Sequence, residues 1–366
     1  MKRLVLLGGG HAHLHVLQAF AAEPPASTQL TLVSPFAAQT YSGMVPGFVA
    51  GHYALADCLI PLAPRVAAAK GRFHERAATA VDASARRVTL SDGSVIGYDV
   101  LSIDTGPVML RGVIPGADEH ALFVRPIEHF TRLWGELQAL AGEAALGVVV
   151  IGGGAAGVEL AMAIAHALGE RARISLVVGA VPLLASHSPG LRARARRALQ
   201  RLRITVLEEA CVAISAHQVE LASGLRLACD APVLAIGTAA PAWLAGSGLA
   251  LDDSGFVATG ATLQSTSHAD VFAAGDVASR IDAPHAKSGV HAVRAGPPLA
   301  FNLRRFVAGG ALQPHQPQRR TLNLLACGER YAIASWGDWA FEGRWVWRWK
   351  DRIDRAFVAR HRGEGR

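Results

Sequence analysis

Residues 149–161 read VVIGGGAAGVELA, and residues 5–17 read VLLGGGHAHLHVL. In each, a short apolar strand runs into glycines and then into a helical pattern. The likeness continues downstream. RRVTLSDGSVIGYDVLSIDTG (86–106) has its counterpart in HQVELASGLRLACDAPVLAIGT (217–238), each an alternating hairpin with a glycine turn followed by a buried strand that closes on Gly and Thr. Two copies of strand, glycine turn, helix, hairpin and closing strand predict an α/β chain with two Rossmann-like domains.

The spacing within each turn carries the chemistry. In G-x-G-x-x-G the first glycine permits the tight turn, the second lets backbone approach a pyrophosphate, and the third lets helix and strand pack closely. The free N–H groups and positive dipole end of the following helix then receive the phosphates. Gly152, Gly154 and Gly157 fill all three positions in the second copy. The first copy has Gly8 and Gly10, but His13 stands in the third place, so either the helix sits slightly off or the imidazole fills a gap. The histidines of GGGHAHLH (8–15) could also be read as a metal tract. Only His11 and His15 share a helical face, and no nearby carboxylate or cysteine completes a site, so no metal is expected. His11 is then a neighbour of the phosphates, and His13 and His15 are packing residues.

The rest of the composition narrows the class. At 366 residues, with 51% hydrophobic and 18% charged residues, the chain suits a packed enzyme of two or three domains. Cys58, Cys211, Cys229 and Cys327 lie far apart, which excludes a CxxC redox motif and a cysteine zinc site. The four apolar residues of MKRLVLLGGG are too few for a secretion signal, and no run reaches the roughly 18 apolar residues of a membrane span. The expected location is therefore cytoplasmic. Of the net charge of +7, much sits in the six arginines of GLRARARRALQRLR (190–203) and in residues 311–366, which also hold five of the seven tryptophans. The arginines of 190–203 share a helix with Leu191, Ala195, Leu199 and Leu202, which predicts a solvated face, although they could also reach a 2′-phosphate. No recognition motif accompanies the charge, so nucleic acid is not an expected partner.

A third segment, ADVFAAGDVA (269–278), is a short strand ending in Gly275-Asp276, with a helical stretch beginning around Ala286. With it, the ensemble resembles the flavoproteins of the pyridine nucleotide–disulfide oxidoreductase superfamily over nearly the whole chain. The resemblance is nearest to the branch of type II NADH:quinone dehydrogenases and sulfide:quinone reductases. Within that branch GGGHAHLHVL, YSGMVPG (41–47), KSGVHAVRAGPPLAFNL (287–303) and RWVWRWKDRIDRAF (344–357) resemble the module associated with selenophosphate synthetases. The resemblance implies an FAD-binding domain of 1–115 and 250–310, an inserted NAD(P)H-binding domain of 116–249, and a C-terminal α+β subdomain of 311–366. It places FAD on Gly8, Gly10, His11, Thr105, Gly106, Gly275 and Asp276, and NADH or NADPH on Gly152, Gly154, Gly157 and Glu159. Tyr41 and Pro46 would wall the isoalloxazine. Lys287 and His291 would face the flavin's pyrimidine edge, where a cation favours the reduced flavin and a histidine can relay a proton; as bland alternatives, Lys287 caps a loop and His291 packs.

Two departures from that pattern matter. Neither copy has the acidic ribose ligand expected about 20 residues after the turn. LTLVS ends in Ser34, which can still bond the FAD ribose, and ISLVVG ends in Gly179, which leaves NADH against NADPH open. The paired cysteines of disulfide reductases are absent, and only Cys327 stands where a sulfide:quinone reductase would need one of several. The implied activity is thus electron transfer from NAD(P)H through FAD to a quinone-like acceptor. The alternatives are a sulfide:quinone reductase-like enzyme and a flavin redox sensor or partner in selenium or sulfur metabolism. In the tail, Trp345, Trp349, Ile353, Ala356 and Phe357 recur at helical spacing among basic residues. That pattern suits an interfacial helix over 344–362 on the inner face of the membrane, and equally a helix packed on the first domain or on a second subunit of a homodimer.

Overall fold

The computed structural model describes residues 1–141 and 145–363. Strand Lys2–Leu7 pairs in parallel with Thr28–Ser34 on one side and Val100–Ile103 on the other, and Arg72–Glu75 and Val271–Ala273 extend these into a five-stranded parallel sheet. A parallel sheet needs cover on both faces. Leu4 and Leu6 point into a core shared with helices His11–Ala22 and Gly289–Val307, while Val5 and Leu7 join Val81, Val88 and Leu90 of an antiparallel sheet made by Ala78–Asp82, Arg87–Leu90 and Val95–Gly97. The alternation is the period of two of a strand buried on both sides.

The second domain repeats the plan. Leu122–Phe123, Ala231–Leu234, Leu146–Ile151, Ala172–Val177 and Thr205–Leu207 form a parallel sheet in which the closing strand again lies beside the strand before the glycine turn. Val148 and Val150 face the core around helix Ala155–Leu168, and Val149 and Ile151 face the antiparallel sheet that includes Cys211–Ser215 and Gln218–Leu221. Insertion follows from connectivity: Val271–Ala273 completes the first sheet only after the second is finished. The two crossings are tied together, Val108–Met109 pairing antiparallel with Thr238–Ala239.

The tail is α+β, with strands Leu322–Ala326, Ala332–Trp336 and Trp339–Gly343 followed by helix Arg344–Arg362. It touches both domains. The strands pack on helix Pro189–Arg201, where Glu342 pairs with Arg197 at 2.8 Å and with Arg194 at 3.9 Å. The arginine face expected to be solvated is therefore partly an intramolecular interface, since Arg196 also pairs with Glu208 and Arg201 lies over the Tyr331 ring. Helix Arg344–Arg362 packs on the tail strands through Val346 and on the first domain through Lys350, Asp354, Val358 and His361.

The long helix expected from Ala286 begins at Gly289 instead. Ser288 holds the N-cap position in extended conformation, which leaves Ala286 and Lys287 outside the helix. This helix keeps Pro297 and Pro298 in its interior and is held by tertiary contact, with Gly296 lying so close to the first helix that a side chain there would collide with His15.

Candidate functional site

The first glycine turn is built around a carboxyl group. Gly8 has φ +90°, and a Cβ there would fall on the Asp104 carbonyl. Gly10 donates its N–H to that carbonyl at 3.1 Å, and a Cβ on Gly10 would overlap the Asp104 carboxyl itself. The carboxyl accepts the N–H of His13 at 2.9 Å and that of Ala12. Burial pushes Asp104 up to about 7, Asp276 adds to the rise, and the two N–H groups oppose it.

His13 fills the gap left by the missing third glycine. Its ring is fully buried, with Nδ1 at 2.6 Å from the Gly8 carbonyl and Nε2 at 2.8 Å from the Ser102 hydroxyl. A carbonyl only accepts, so Nδ1 carries the proton and Nε2 accepts from Ser102. Burial lowers this histidine to about 4, which keeps it neutral.

Around the turn, Gly106 and Gly275 both have φ +70°, and Gly275 lies against the Asp104 carboxyl. Thr105 is exposed and bonds only the Gly106 carbonyl, at 3.3 Å. Asp276 is held above its ordinary value by burial, with Arg125, Lys287 and His285 pulling it back. Ser34 is buried and its hydroxyl closes its own turn with Phe36, at 3.2 and 3.3 Å. The helix that follows Gly10 takes no cap from its own N-cap residue, and the Asp104 carboxyl holds the first-turn N–H groups of Ala12 and His13 instead. The positive end of that helix, glycine walls that admit no side chain and a carboxylate at the mouth fit the pyrophosphate and ribityl portions of a dinucleotide.

The second turn is more open. Gly152 has φ +137°; a Cβ on it would meet the Ala235 carbonyl, and one on Gly157 would meet the Gly152 carbonyl. Gly154, by contrast, has nothing within 4 Å and caps helix Ala155–Leu168 without a side chain, leaving room for phosphate. Gly179, at the strand end, is likewise open at φ +96°. The nearby carboxylates are engaged elsewhere, Glu208 with Arg196 and Glu209 with the Ser223 N–H.

Glu159 lies two residues past Gly157 on that helix. Its Oε1 accepts the Ala326 N–H at 2.7 Å, and burial pushes it up to about 7 against the pull of Lys350 and of that N–H. A row of polar groups continues from it into the first domain. Lys350 donates to the Gly43 carbonyl and to Asp354, each at 2.6 Å, and Asp354 bonds the Tyr41 hydroxyl. Tyr41 stacks on Phe357 with centroids 4.5 Å apart, and Pro46 is buried beside it in helix Val45–Val49. His11 sits 5.4 Å from Tyr41 and 5.8 Å from Phe357, while His15 meets His361 edge-on at 4.5 Å. These histidines pack under the tail helix.

Lys287 and His291 lie elsewhere on the rim. Lys287 donates to the Ala278 carbonyl at 2.8 Å and stands 3.6 Å over the Phe256 ring; His291 lies 4.3 Å from His285, in a cleft shared with Gly275, Asp276 and His315. Among the described residues no hydrogen bond joins either to Glu159. Sequence reasoning missed Asp104, Arg125, Lys350 and Asp354. A charged residue inside the apolar strand LSIDTG was the available signal for Asp104; the others are assembled only by tertiary packing.

Residues 2–296 match the family described as pyridine nucleotide-disulphide oxidoreductase. An NADH dehydrogenase-like protein of Mycobacterium tuberculosis is 31% identical over 312 residues, 78% of this chain and 75% of that protein. The demethylphylloquinone reductase of Synechocystis is 27% identical over 295 residues, 77% and 73% of the two chains. The solved sulfide:quinone oxidoreductase of Aquifex aeolicus superposes with a TM-score of 0.83 at 19% identity, covering 99% of this chain and 92% of its own, which shows a shared fold.

Proposed function

Since this chain belongs to the pyridine nucleotide-disulphide oxidoreductase family, we propose that it is an FAD-dependent dehydrogenase passing electrons from NADH or NADPH to a quinone-type acceptor. The observation that carries the reading is the pair of glycine turns, walled against a side chain at Gly8 and Gly10 in the first and at Gly152 and Gly157 in the second, set in two copies of one fold joined by a polar row. Relatives named NADH dehydrogenase-like and demethylphylloquinone reductase support it.

In this reading the Gly8–Gly10 turn, Thr105, Gly106, Gly275 and Asp276 hold FAD, and Gly152, Gly154 and Gly157 hold the nicotinamide coenzyme. Bound FAD supplies the capacity to take a hydride from one partner and deliver two electrons to another. The chain's own residues orient, exclude water and handle protons. Quinone reduction consumes protons, and Glu159, poised near neutrality with Oε1 fixed by the Ala326 N–H, can hold one at Oε2. Tyr41, Asp354 and Lys350 extend that proton-bearing row beneath the tail helix.

The cysteines disfavour sulfide oxidation. Cys327 is buried with its thiol pushed far above the ordinary range by burial, Cys58 lies in the first domain's core at about 12, and in the second domain buried Cys229 and half-buried Cys211 both stand at about 11. All four are free thiols held protonated, so no thiolate pair is available for a polysulfide cycle.

The tail reading is a lipid contact. No helix among the described residues is long and apolar enough to cross a membrane. Trp339 is 70% exposed and stacks with Phe341, which meets Trp345; Trp349 and Ile353 carry the exposed row along the helix between Arg344, Arg348 and Arg352. Aromatic rings at headgroup depth among arginines suit an anionic bilayer, where a quinone resides.

Anaerobic titration of the yellow holoprotein with NADH and, separately, NADPH tests the core of the proposal. Bleaching by one coenzyme, followed by fast reoxidation with a soluble quinone, is the expected result. Bleaching by neither refutes it, and bleaching followed by a long-lived reduced state unmoved by quinone favours the redox sensor.

A further inference from the structure

The two glycine turns differ in one respect that their common fold does not require. At the end of the closing strand, where the second copy has Ala235, the first has Asp104. The two residues are equivalent: each donates its N–H to the last residue of the strand before the turn, Asp104 to Leu7 and Ala235 to Ile151, both at 2.8 Å, and each presents its carbonyl to the first glycine. Where the second copy has Gly157 packed on bare backbone, the first has His13, locked by Gly8 and Ser102. Asp104 and His13 thus replace an alanine and a glycine as a pair, and they place a buried carboxyl inside the turn. It is tied to the N–H of His13 and presses on Gly10 and Gly275, the glycines that line the phosphate position.

We propose that Asp104 takes up one proton when the FAD diphosphate enters the turn, so that the carboxyl meets the phosphates as a neutral hydrogen-bond donor and makes FAD retention dependent on pH. This rests on the FAD reading given above. A carboxylate at this depth beside a dianionic diphosphate is strongly disfavoured, and like charges in one site drive protonation of the group that can accept the proton. The proton comes from solvent, and no bond other than O–H is made. Asp276 is also raised by burial, but Arg125, Lys287 and His285 oppose its rise, whereas among the described residues no cation opposes that of Asp104, which therefore responds first. From the first helix the His13 ring is bound to the Gly8 carbonyl and the His11 ring lies under the tail helix, both neutral and lowered to about 4 by burial. From the Gly275 turn, Asp276 adds negative charge. Arg125, on the connector, faces Asp276 and His11, and Lys287 and His285 face Asp276. Free Asp104 stands at about 7, so coupling begins near neutrality.

The test uses the holoprotein. Diluted across pH 6 to 9, it releases FAD, and the rise in flavin fluorescence gives the dissociation constant at each pH. The expected profile is flat below about pH 7 and weakens by up to about tenfold per pH unit above it. Asp104→Asn, which keeps the size and can donate to phosphate, should flatten the profile and bind more tightly than wild type at pH 9. Calorimetric FAD rebinding in two buffers of different ionisation enthalpy should show uptake approaching one proton at pH 8 for wild type and none for the variant. A flat wild-type profile without proton uptake overturns the proposal, as does a variant that keeps the wild-type slope. Should Asp104→Asn fail to fold, the wild-type proton count decides alone. A protein that binds no FAD at any pH refutes the FAD reading instead.

Discussion

Gly157→Ala separates the two nucleotide sites. The added Cβ would fall well inside contact with the Gly152 carbonyl and 3.5 Å from Ala235 Cβ, so helix Ala155–Leu168 must draw away from its strand. Overpacking of this kind costs about 1–3 kcal/mol. Because the displaced parts are the turn and the N–H groups that would face the coenzyme phosphates, that cost falls on coenzyme binding. At 1.4 kcal/mol per factor of ten, half-saturation for flavin bleaching should rise by about five- to hundredfold. FAD content should not change, since the first turn is built from Gly8, Gly10, His13, Asp104 and Gly275, all outside the second domain. Stopped-flow bleaching against coenzyme concentration, with the ratio of flavin to protein absorbance, reads both quantities. The reciprocal Gly8→Ala, whose Cβ would strike the Asp104 carbonyl, should lose FAD while leaving the second domain folded. A Gly157→Ala protein with wild-type half-saturation, or one that sheds FAD in step with its loss of response, would refute the reasoning.

Three other outcomes follow from the tail. Lys350→Met strands the buried Asp354 carboxylate and should cost about 3–5 kcal/mol in denaturant unfolding, most of it recovered in the Lys350→Met, Asp354→Leu double variant; equal loss in both would show that the pair is not the cause. His361 is buried, has no partner on either ring nitrogen among the described residues and is lowered to about 3, so the folded state binds fewer protons than the unfolded chain and stability is withdrawn as pH falls from about 6.5. His361→Phe should therefore gain on wild type by roughly 2–3 kcal/mol between pH 7 and pH 4.5, and a constant difference across that range would contradict the argument. Finally, Trp345→Ser with Trp349→Ser should abolish flotation with anionic vesicles while preserving NAD(P)H-driven bleaching; unchanged flotation would move the exposed row to a protein partner.

How much of this was legible beforehand depends on the range of the interactions involved. The strands, turns and hairpins are local patterns, and Gly8, Gly152 and Gly157 are required by contacts within their own units, so VLLGGG and VVIGGG were readable at once. His13 was recognised as the departure, and of the two outcomes left open it is the imidazole that fills the gap. The polar row from Glu159 through Lys350 to Tyr41 was not legible as a unit, because it joins segments from both domains and the tail. The tail's helical spacing singled out Trp345, Trp349 and Ile353 and left open which face packs; Lys350 and Asp354 form the buried side, while those three stay exposed. A helical period gives the angle between two faces, and only packing says which is turned inward.

The nested order of the domains sets the sequence in which the chain can mature. The second sheet is contiguous and can form as soon as its own residues are made, whereas the first lacks its edge strand Val271–Ala273 until everything between has been synthesised. Long-range closure of this kind is slow and leaves a strand edge open to mispairing in the meantime. The pairing of Val108–Met109 with Thr238–Ala239 shortens that wait, because folding of the insert draws its two ends together and delivers the late strand to the waiting edge. The inserted domain thus serves the first as a folding clamp, and a cut within it should harm the assembly of the FAD-side sheet more than a cut in any surface loop of that sheet.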